Sequence, residues 1–306
     1  MRMKAEIVRS RRLLEGAAYL FGQEAGVKLD GWQAPDEEVW EGLAAGGAVT
    51  PERRLADTAF GYTCYEYYRQ LHAPGFFDVL LLREAEGRVK IADICCGGGA
   101  TIHALIGGEE RELVSGIDES EAQIGLLQEL LGRGSQVLVS GKEAVQAQNG
   151  LLQALIGEGA AEKGRVSAIT GDAHQLPWGD AAFDMAVCRT ALQYLDVGRA
   201  LAEMHRILAP QGKLFLLVHG SGYGLDYMLA RKGLFRLKTY AFLAHKLSAR
   251  QRPAAPFLRS QSRFLTMRGL EASLRQAGFS EIQLHTEPRR GVFGLFPVYF
   301  AAVATK

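Results

Sequence analysis

The 306-residue chain has little that points outside a soluble globular protein. Its four cysteines (Cys64, Cys95, Cys96 and Cys188) form no CxxC pair, and no histidine stands beside them at zinc-ligand spacing. That excludes a zinc ribbon or finger and leaves reduced thiols as the reading, with no metal site expected. No uninterrupted apolar run reaches the length of a membrane-spanning helix. The N-terminus is mixed in charge and has no apolar signal region, so a cytoplasmic protein is expected. Charge of one sign is also missing: 35 Lys and Arg face 34 Asp and Glu, a net +1 that gives no general pull towards nucleic acid or an anionic surface. The basic clusters at 9–12, 231–238 and 289–290 read as solvated surface. What remains is ordinary for a globular domain with a sizeable core, 48% hydrophobic and 23% charged.

The chain is organised around residues 90–104, KIADICCGGGATIHA. A β-branched run ends near an acid, Asp93; Cys95, Cys96 and three glycines follow, then a helix-compatible segment. Strand, glycine-rich turn and helix bring backbone N–H groups and a helix start close to a nucleotide-like ligand. Glycine there permits φ > 0 and removes the Cβ atoms that would collide with it. Downstream, strand and helix patterns alternate. Residues 112–118 read as a second strand ending in Asp118, 25 positions after Asp93 and 19 after Gly99. An acid at that place holds a ribose diol or caps the next helix, and one carboxylate can do both. Further strands read at 165–170, 183–188 and 213–219, with a helix at 197–208, and a last helix (266–276) precedes strands at 281–286 and 296–304. The rhythm predicts an open, mostly parallel α/β sheet with ligands at the carboxyl ends of its strands.

Before this core, residues 1–87 read as a helical cap. Ile7, Leu13, Leu14, Ala17, Ala18 and Phe21 recur at helical spacing, and Asp36 opens a short helix. Thr50-Pro51 has the form of another helix start. The helix expected there carries Phe60, Tyr62, Tyr65, Tyr67 and Tyr68. Such a stripe is packing, or, lying just ahead of the glycine loop, a cover over the site to which Tyr62 and Tyr65 contribute. Two stretches interrupt the core, at about 132–160 and 220–262. The second, apolar and studded with Lys and Arg, reads either as a lid over a substrate or as the contact of a homodimer.

These residues resemble the class I S-adenosylmethionine-dependent methyltransferases over about residues 89–306, the two insertions aside. The family's D-x-G-x-G-x-G appears as Asp93-Ile-Cys95-Cys96-Gly97-Gly98-Gly99, with Cys95 at the first glycine. The stretch GDAHQLPWGDAAFDMAV is similar to its GDA-x-x-LPF-x-D-x-x-FD, and EMHRILAPQGKLFL to its E-x-x-R-V-L-K-P-G-G-x-L, with Gln211 at a usual glycine. CRTALQYL after the fourth strand resembles the small-molecule branch of ubiquinone/menaquinone and biotin-pathway enzymes. The resemblance implies a Rossmann-like, seven-stranded sheet with an antiparallel C-terminal hairpin and S-adenosylmethionine as cofactor. It implies that Gly97 and Gly99 pass the cofactor with Asp93 and Cys95 beside them, that Asp118 with Glu119 holds the ribose, that Asp172 and Ala173 meet the adenine, and that Cys188 and Arg189 meet the methionine part. The acceptor it implies is a small, hydrophobic or aromatic molecule with an O, N or C nucleophile, and not a nucleic acid. His219, at the end of the fifth strand, stands as a candidate base or as a turn-capping residue. A nicotinamide dehydrogenase would need glycine where Ile102 stands, and a P-loop nucleotidase would need a G-K-[ST] that is missing. A protein that binds the cofactor without transferring methyl remains the alternative.

Overall fold

The computed structural model describes residues 2–27, 31–107, 110–131, 136–138, 165–229, 265–287, 291–292 and 296–306. Four helices come first: α1 (Arg2–Arg9), α2 (Arg11–Ala25), α3 (Glu37–Ala45) and α4 (Thr58–His72). Their apolar faces close on one another around Ile7, Leu14, Leu43 and Phe60, and Ala100 and Leu126 of the following core join the same cluster. The expected cap is Asp36, which accepts from Val39 N at 3.0 Å. The expected helix start at Thr50 is not observed. Residues 49–55 instead form a tight turn closed by a bridge between Val49 and Leu55, with Arg53 at φ 58°. Helix α4 starts eight residues after Thr50, because Asp57 accepts from both Ala59 N and Phe60 N and is the stronger cap.

Helix α5 (Phe76–Glu84) leads into β1 (Lys90–Ile94), α6 (Ala100–Ile106), β2 (Leu113–Asp118), α7 (Glu121–Leu131), β3 (Gln136–Leu138), β4 (Arg165–Thr170) and β5 (Phe183–Arg189). After a 3-10 turn (Leu192–Tyr194) come α8 (Val197–Ile207), β6 (Leu208–His219), α9 (Gly222–Leu229), α10 (Met267–Gln276), β7 (Ser280–Thr286), β8 (Gly291–Val292), β9 (Phe296–Pro297) and β10 (Tyr299–Thr305). The main sheet runs β3–β4–β2–β1–β5–β6–β10–β7. Its pairings are parallel from β3 through β6, and β10 is antiparallel to both β6 and β7. The seven expected strands are all present, and β3 adds a three-residue eighth at the edge. Between β7 and β10, β8 pairs antiparallel with β9.

Strands β1, β2 and β5 are near-continuous apolar runs because helices cover both their faces, as parallel sheets require. One face packs Ile94, Phe183, Leu201 and Phe300; the other packs Phe77, Ile91, Ile102 and Phe215. Several motif residues prove to be fasteners of this core. The Asp184 carboxylate accepts from Val89 N (2.8 Å) and Lys90 N (3.1 Å), fixing the entry to β1. Glu203 accepts from Leu176 N at 2.7 Å, while Arg206 donates to the carbonyls of Leu176 and Trp178. The E-x-x-R and LPW stretches are thus two halves of one clamp. Gln211 sits at φ 65°, the left-handed region that suits glycine. Apart from residues 220–229 and the three residues of β3, the two expected insertions lie outside the described residues.

Candidate functional site

The parallel strands all point their carboxyl ends at one edge of the sheet, and the chain leaves β1 there in a loop with alternating left-handed residues: Cys95 (φ 58°), Gly97 (φ 53°) and Gly99 (φ 84°). The three glycines have different reasons to be glycine. A Cβ on Gly98 would come within 2.4 Å of Thr63 Cγ2, and one on Gly99 within 2.3 Å of Leu127 Cδ1, so packing forbids it. A Cβ on Gly97 would meet nothing within 4 Å, so there the backbone angle alone favours glycine. Cys95 keeps that angle with a side chain, at a cost of about 1 kcal/mol for an L-residue in this region. Its thiol is hydrogen-bonded to that of Cys188, whose register neighbour on β1 is Ile94.

Asp118, at the end of β2, closes the loop: Oδ2 accepts from Gly97 N and Oδ1 from Ser120 N, each at 2.9 Å. Each carboxylate oxygen retains a further lone pair for a hydroxyl donor. The cap of α7 passes to Ser120, whose Oγ accepts from Gln123 N. Glu119 beside it is exposed. Asp93 is 2% exposed and its Oδ2 has no hydrogen-bond partner. Burial, opposed by Arg189 and reinforced by Asp118, pushes its carboxyl up to about 7. Asp172, after β4, accepts at Oδ1 from His174 N (2.9 Å) and lies 2.6 Å from His174 Nδ1. These bonds outweigh its partial burial and hold the carboxyl below its ordinary value. Ala173 packs its methyl into the core, which fixes the backbone beside Asp172.

Helix α4 lies against this loop. Thr63, Tyr67 and Gln70, spaced for one helical face, donate respectively to Gln123 Oε1 (2.8 Å), to the Gly98 carbonyl (2.7 Å) and to Glu66 Oε2 (2.9 Å). Arg189, 8% exposed at the end of β5, donates through Nη1 to Gln70 Oε1 (2.9 Å) and through Nη2 to Asp78 Oδ1 (2.6 Å). Arg69 joins Asp78 to Glu66. Burial raises Asp78 and Glu66, but the two arginines outweigh it and hold both carboxyls below their ordinary values. None of Glu66, Arg69, Gln70 and Asp78 stands out in the sequence; the first three share a face of α4, and Asp78 comes from α5.

A second group of side chains meets beyond β5 and β6. His219, 9% exposed, stacks on Tyr223 with ring centroids 3.8 Å apart and meets the edges of Tyr194 and Tyr299. Tyr62 lies 3.3 Å from Thr190 Oγ1, and Thr190, β-branched at φ 52°, is a strained residue at a strand end. Tyr62 is 40% accessible and Tyr194 48%, yet burial raises both phenols. Tyr65 turns away from this group to stack on Trp32 and Phe21. Thr190, Tyr194, Tyr223 and Tyr299 were not legible as one group, because four separate elements deliver them. Among the described residues no cluster of His, Cys, Asp and Glu has the makings of a metal site, and no helix is long and apolar enough to cross a membrane.

Residues 92–216 match a family described as a methyltransferase domain. Over 48 residues the chain is 46% identical to a demethylmenaquinone methyltransferase of Deinococcus radiodurans, a match covering 15% of this chain and 20% of that protein. It is 25% identical over 121 residues to the mitochondrial 2-methoxy-6-polyprenyl-1,4-benzoquinol methylase of Xenopus laevis, 39% of each. The matches therefore span well under half the length of these relatives. Among solved structures it is similar to an S-adenosylmethionine-dependent methyltransferase of Thermotoga maritima (TM-score 0.46, 17% identity), over 81% of this chain and 97% of that one. Residues 92–216 thus carry the sequence pattern of a methyltransferase domain.

Proposed function

We propose that the chain transfers the methyl group of S-adenosylmethionine to an O, N or C nucleophile of a small, hydrophobic or aromatic molecule. The observation that carries this reading is the pair of buried, unpartnered polar atoms beside the glycine loop, Asp93 Oδ2 and Arg189 Nε. An acceptor of positive charge and a donor to negative charge, both dry and both lacking a partner, fit the ammonium and carboxylate of the cofactor's amino-acid end. Buried groups of this kind are costly unless a ligand completes them. Asp118 suits the ribose hydroxyls, and Asp172 the adenine amino group. When bound, the cofactor supplies an electrophilic methyl on a sulfonium.

The chain's own residues do the rest. The backbone at Gly97 admits the cofactor without a side chain in the way, and α4 holds the loop through Thr63 and Tyr67. Tyr62, Tyr194, Tyr223 and Tyr299 offer rings to a flat acceptor, in keeping with the quinone substrates in the relatives' names. Alignment of nucleophile and methyl accounts for most of the rate. His219 is assigned the acceptor's proton when the nucleophile is a hydroxyl or an acidic carbon. Residues 1–87 serve as the cap and 88–306 as the catalytic core. All four cysteines are free thiols, which suits a cytoplasmic enzyme. A homodimer built on the 220–262 segment remains a compatible assembly.

The test is incubation with methyl-labelled cofactor and a panel of quinols, phenols and aromatic amines. Label is expected in the organic extract, with turnover lowered in His219→Ala and cofactor affinity unchanged. Cofactor binding without transfer to any of the panel would favour a protein that only binds it.

A further inference from the structure

Resting on the cofactor reading above, we propose that Gln70 of α4 is a positioning residue for the amino-acid end of the cofactor. Its amide sits at the centre of a buried network. Oε1 accepts from Arg189 Nη1 (2.9 Å) and from Thr101 Oγ1 (3.0 Å), and Nε2 donates to Glu66 Oε2 (2.9 Å). All three capacities that matter are used, and Gln70 itself is buried.

The network's charges explain why a neutral amide stands there. Glu66 and Asp78 are two carboxylates, and Arg69 and Arg189 are two guanidiniums, so the four ion-paired groups balance one another. A carboxylate at position 70 would add a third negative charge, facing Glu66. The amide gives Arg189 an acceptor without that penalty. Held by Gln70 at one Nη and by Asp78 at the other, the planar guanidinium has its rotation fixed, and its Nε–H is a buried donor without a partner. A fixed fork loses little freedom when it makes a further hydrogen bond, which is how a donor is prepared for a carboxylate. Thr101 sits in the first turn of α6, directly after the glycine loop, so the same amide oxygen ties the orientation of Arg189 to the placement of the loop. Helix α4 therefore sets two halves of the cofactor site with one side chain.

The experiment compares two probes by calorimetry: S-adenosylhomocysteine, which has the amino-acid end, and 5′-methylthioadenosine, which has the nucleoside and thioether but no amino acid. Gln70→Leu is expected to weaken S-adenosylhomocysteine about tenfold, the worth of one charge-assisted hydrogen bond to a correctly held donor, and to leave 5′-methylthioadenosine within a factor of two. Gln70→Glu, which keeps acceptors for Arg189 and Thr101, should recover part of the loss. Gln70→Met replaces Gln70→Leu should the latter not fold. Equal weakening of both probes would show a role in stability alone and overturn the proposal, as would no change in either. If the unaltered protein binds neither probe, the cofactor reading itself falls, a result distinct from any produced by the Gln70 variants.

Discussion

Replacing Asp93 by Asn should make the protein more stable and a poorer cofactor binder. The Asp93 carboxyl is buried at the end of β1, with Oδ2 unpartnered and Arg189 and Asp118 as its charged neighbours. Its pKa rises from the ordinary 3.8 to about 7, mainly through burial. An acid whose folded pKa is raised binds its proton more tightly folded than unfolded. Its contribution to stability is therefore fully present below about pH 4 and is lost as pH rises through 7. The full shift of about three units corresponds to roughly 4 kcal/mol at pH 8, at about 1.4 kcal/mol per unit. Relaxation and water access reduce this to about 2–4 kcal/mol in practice. Asn has the same shape and no charge to desolvate, so Asp93→Asn should gain about 2 kcal/mol or more at pH 8 and less than half as much at pH 5. Urea unfolding at the two pH values measures this, with an unchanged m-value as the check that only stability has moved. In the same variant, S-adenosylhomocysteine should bind at least tenfold more weakly. A variant less stable than the parent at pH 8, or a difference independent of pH, would refute the reasoning that this carboxylate is held charged at a cost until a cation meets it.

Two further outcomes are expected from the backbone and from a buried histidine. Gln211 sits at φ 65°, where glycine escapes a strain of about 1–2 kcal/mol but loses about 0.5–1 kcal/mol to chain entropy. Gln211→Gly should thus raise stability by up to about 1 kcal/mol in urea unfolding, and Gln211→Val should lower it by more than 1 kcal/mol. His103 supports Tyr67 at 2.9 Å, and burial, partly opposed by its bond to the Gly99 carbonyl, keeps its pKa below the ordinary 6.5. A depressed histidine stabilises above that value and loses its contribution as pH falls below it. His103→Gln should flatten the acid limb of the stability profile between pH 6.5 and 5, whereas an unchanged limb would assign acid sensitivity to other groups.

The sequence carried the core of the fold because the parallel strands announce themselves: apolar runs ending in Asp93, Asp118 and the Gly171-Asp172 pair leave little choice of period. The helix boundary at residue 50 was misread because Thr50-Pro51 has the local form of a start, and only the competing cap at Asp57, with two backbone donors, decides it. Asp118 was expected to hold a ribose diol or to cap the next helix; in the structure it accepts from Gly97 N and Ser120 N, and the cap of α7 falls to Ser120. Gln70, Asp78 and Thr190 were not legible, since their meaning depends on contacts across more than 100 residues of chain. Arg189 was placed at the site from its motif, but its partners come from α4 and α5, helices whose relation to β5 no local pattern encodes.

The most direct measurement is calorimetric titration of the protein with S-adenosylmethionine, S-adenosylhomocysteine and NAD in parallel, repeated with Asp118→Ala. The account expects binding of the first two in the micromolar range, none of NAD, and loss of the signal in the variant, whose alanine removes the acceptor that holds Gly97 N and is proposed to hold the ribose. Absence of binding by the folded parent, or binding that survives Asp118→Ala unchanged, would contradict the assignment of this loop as the cofactor site.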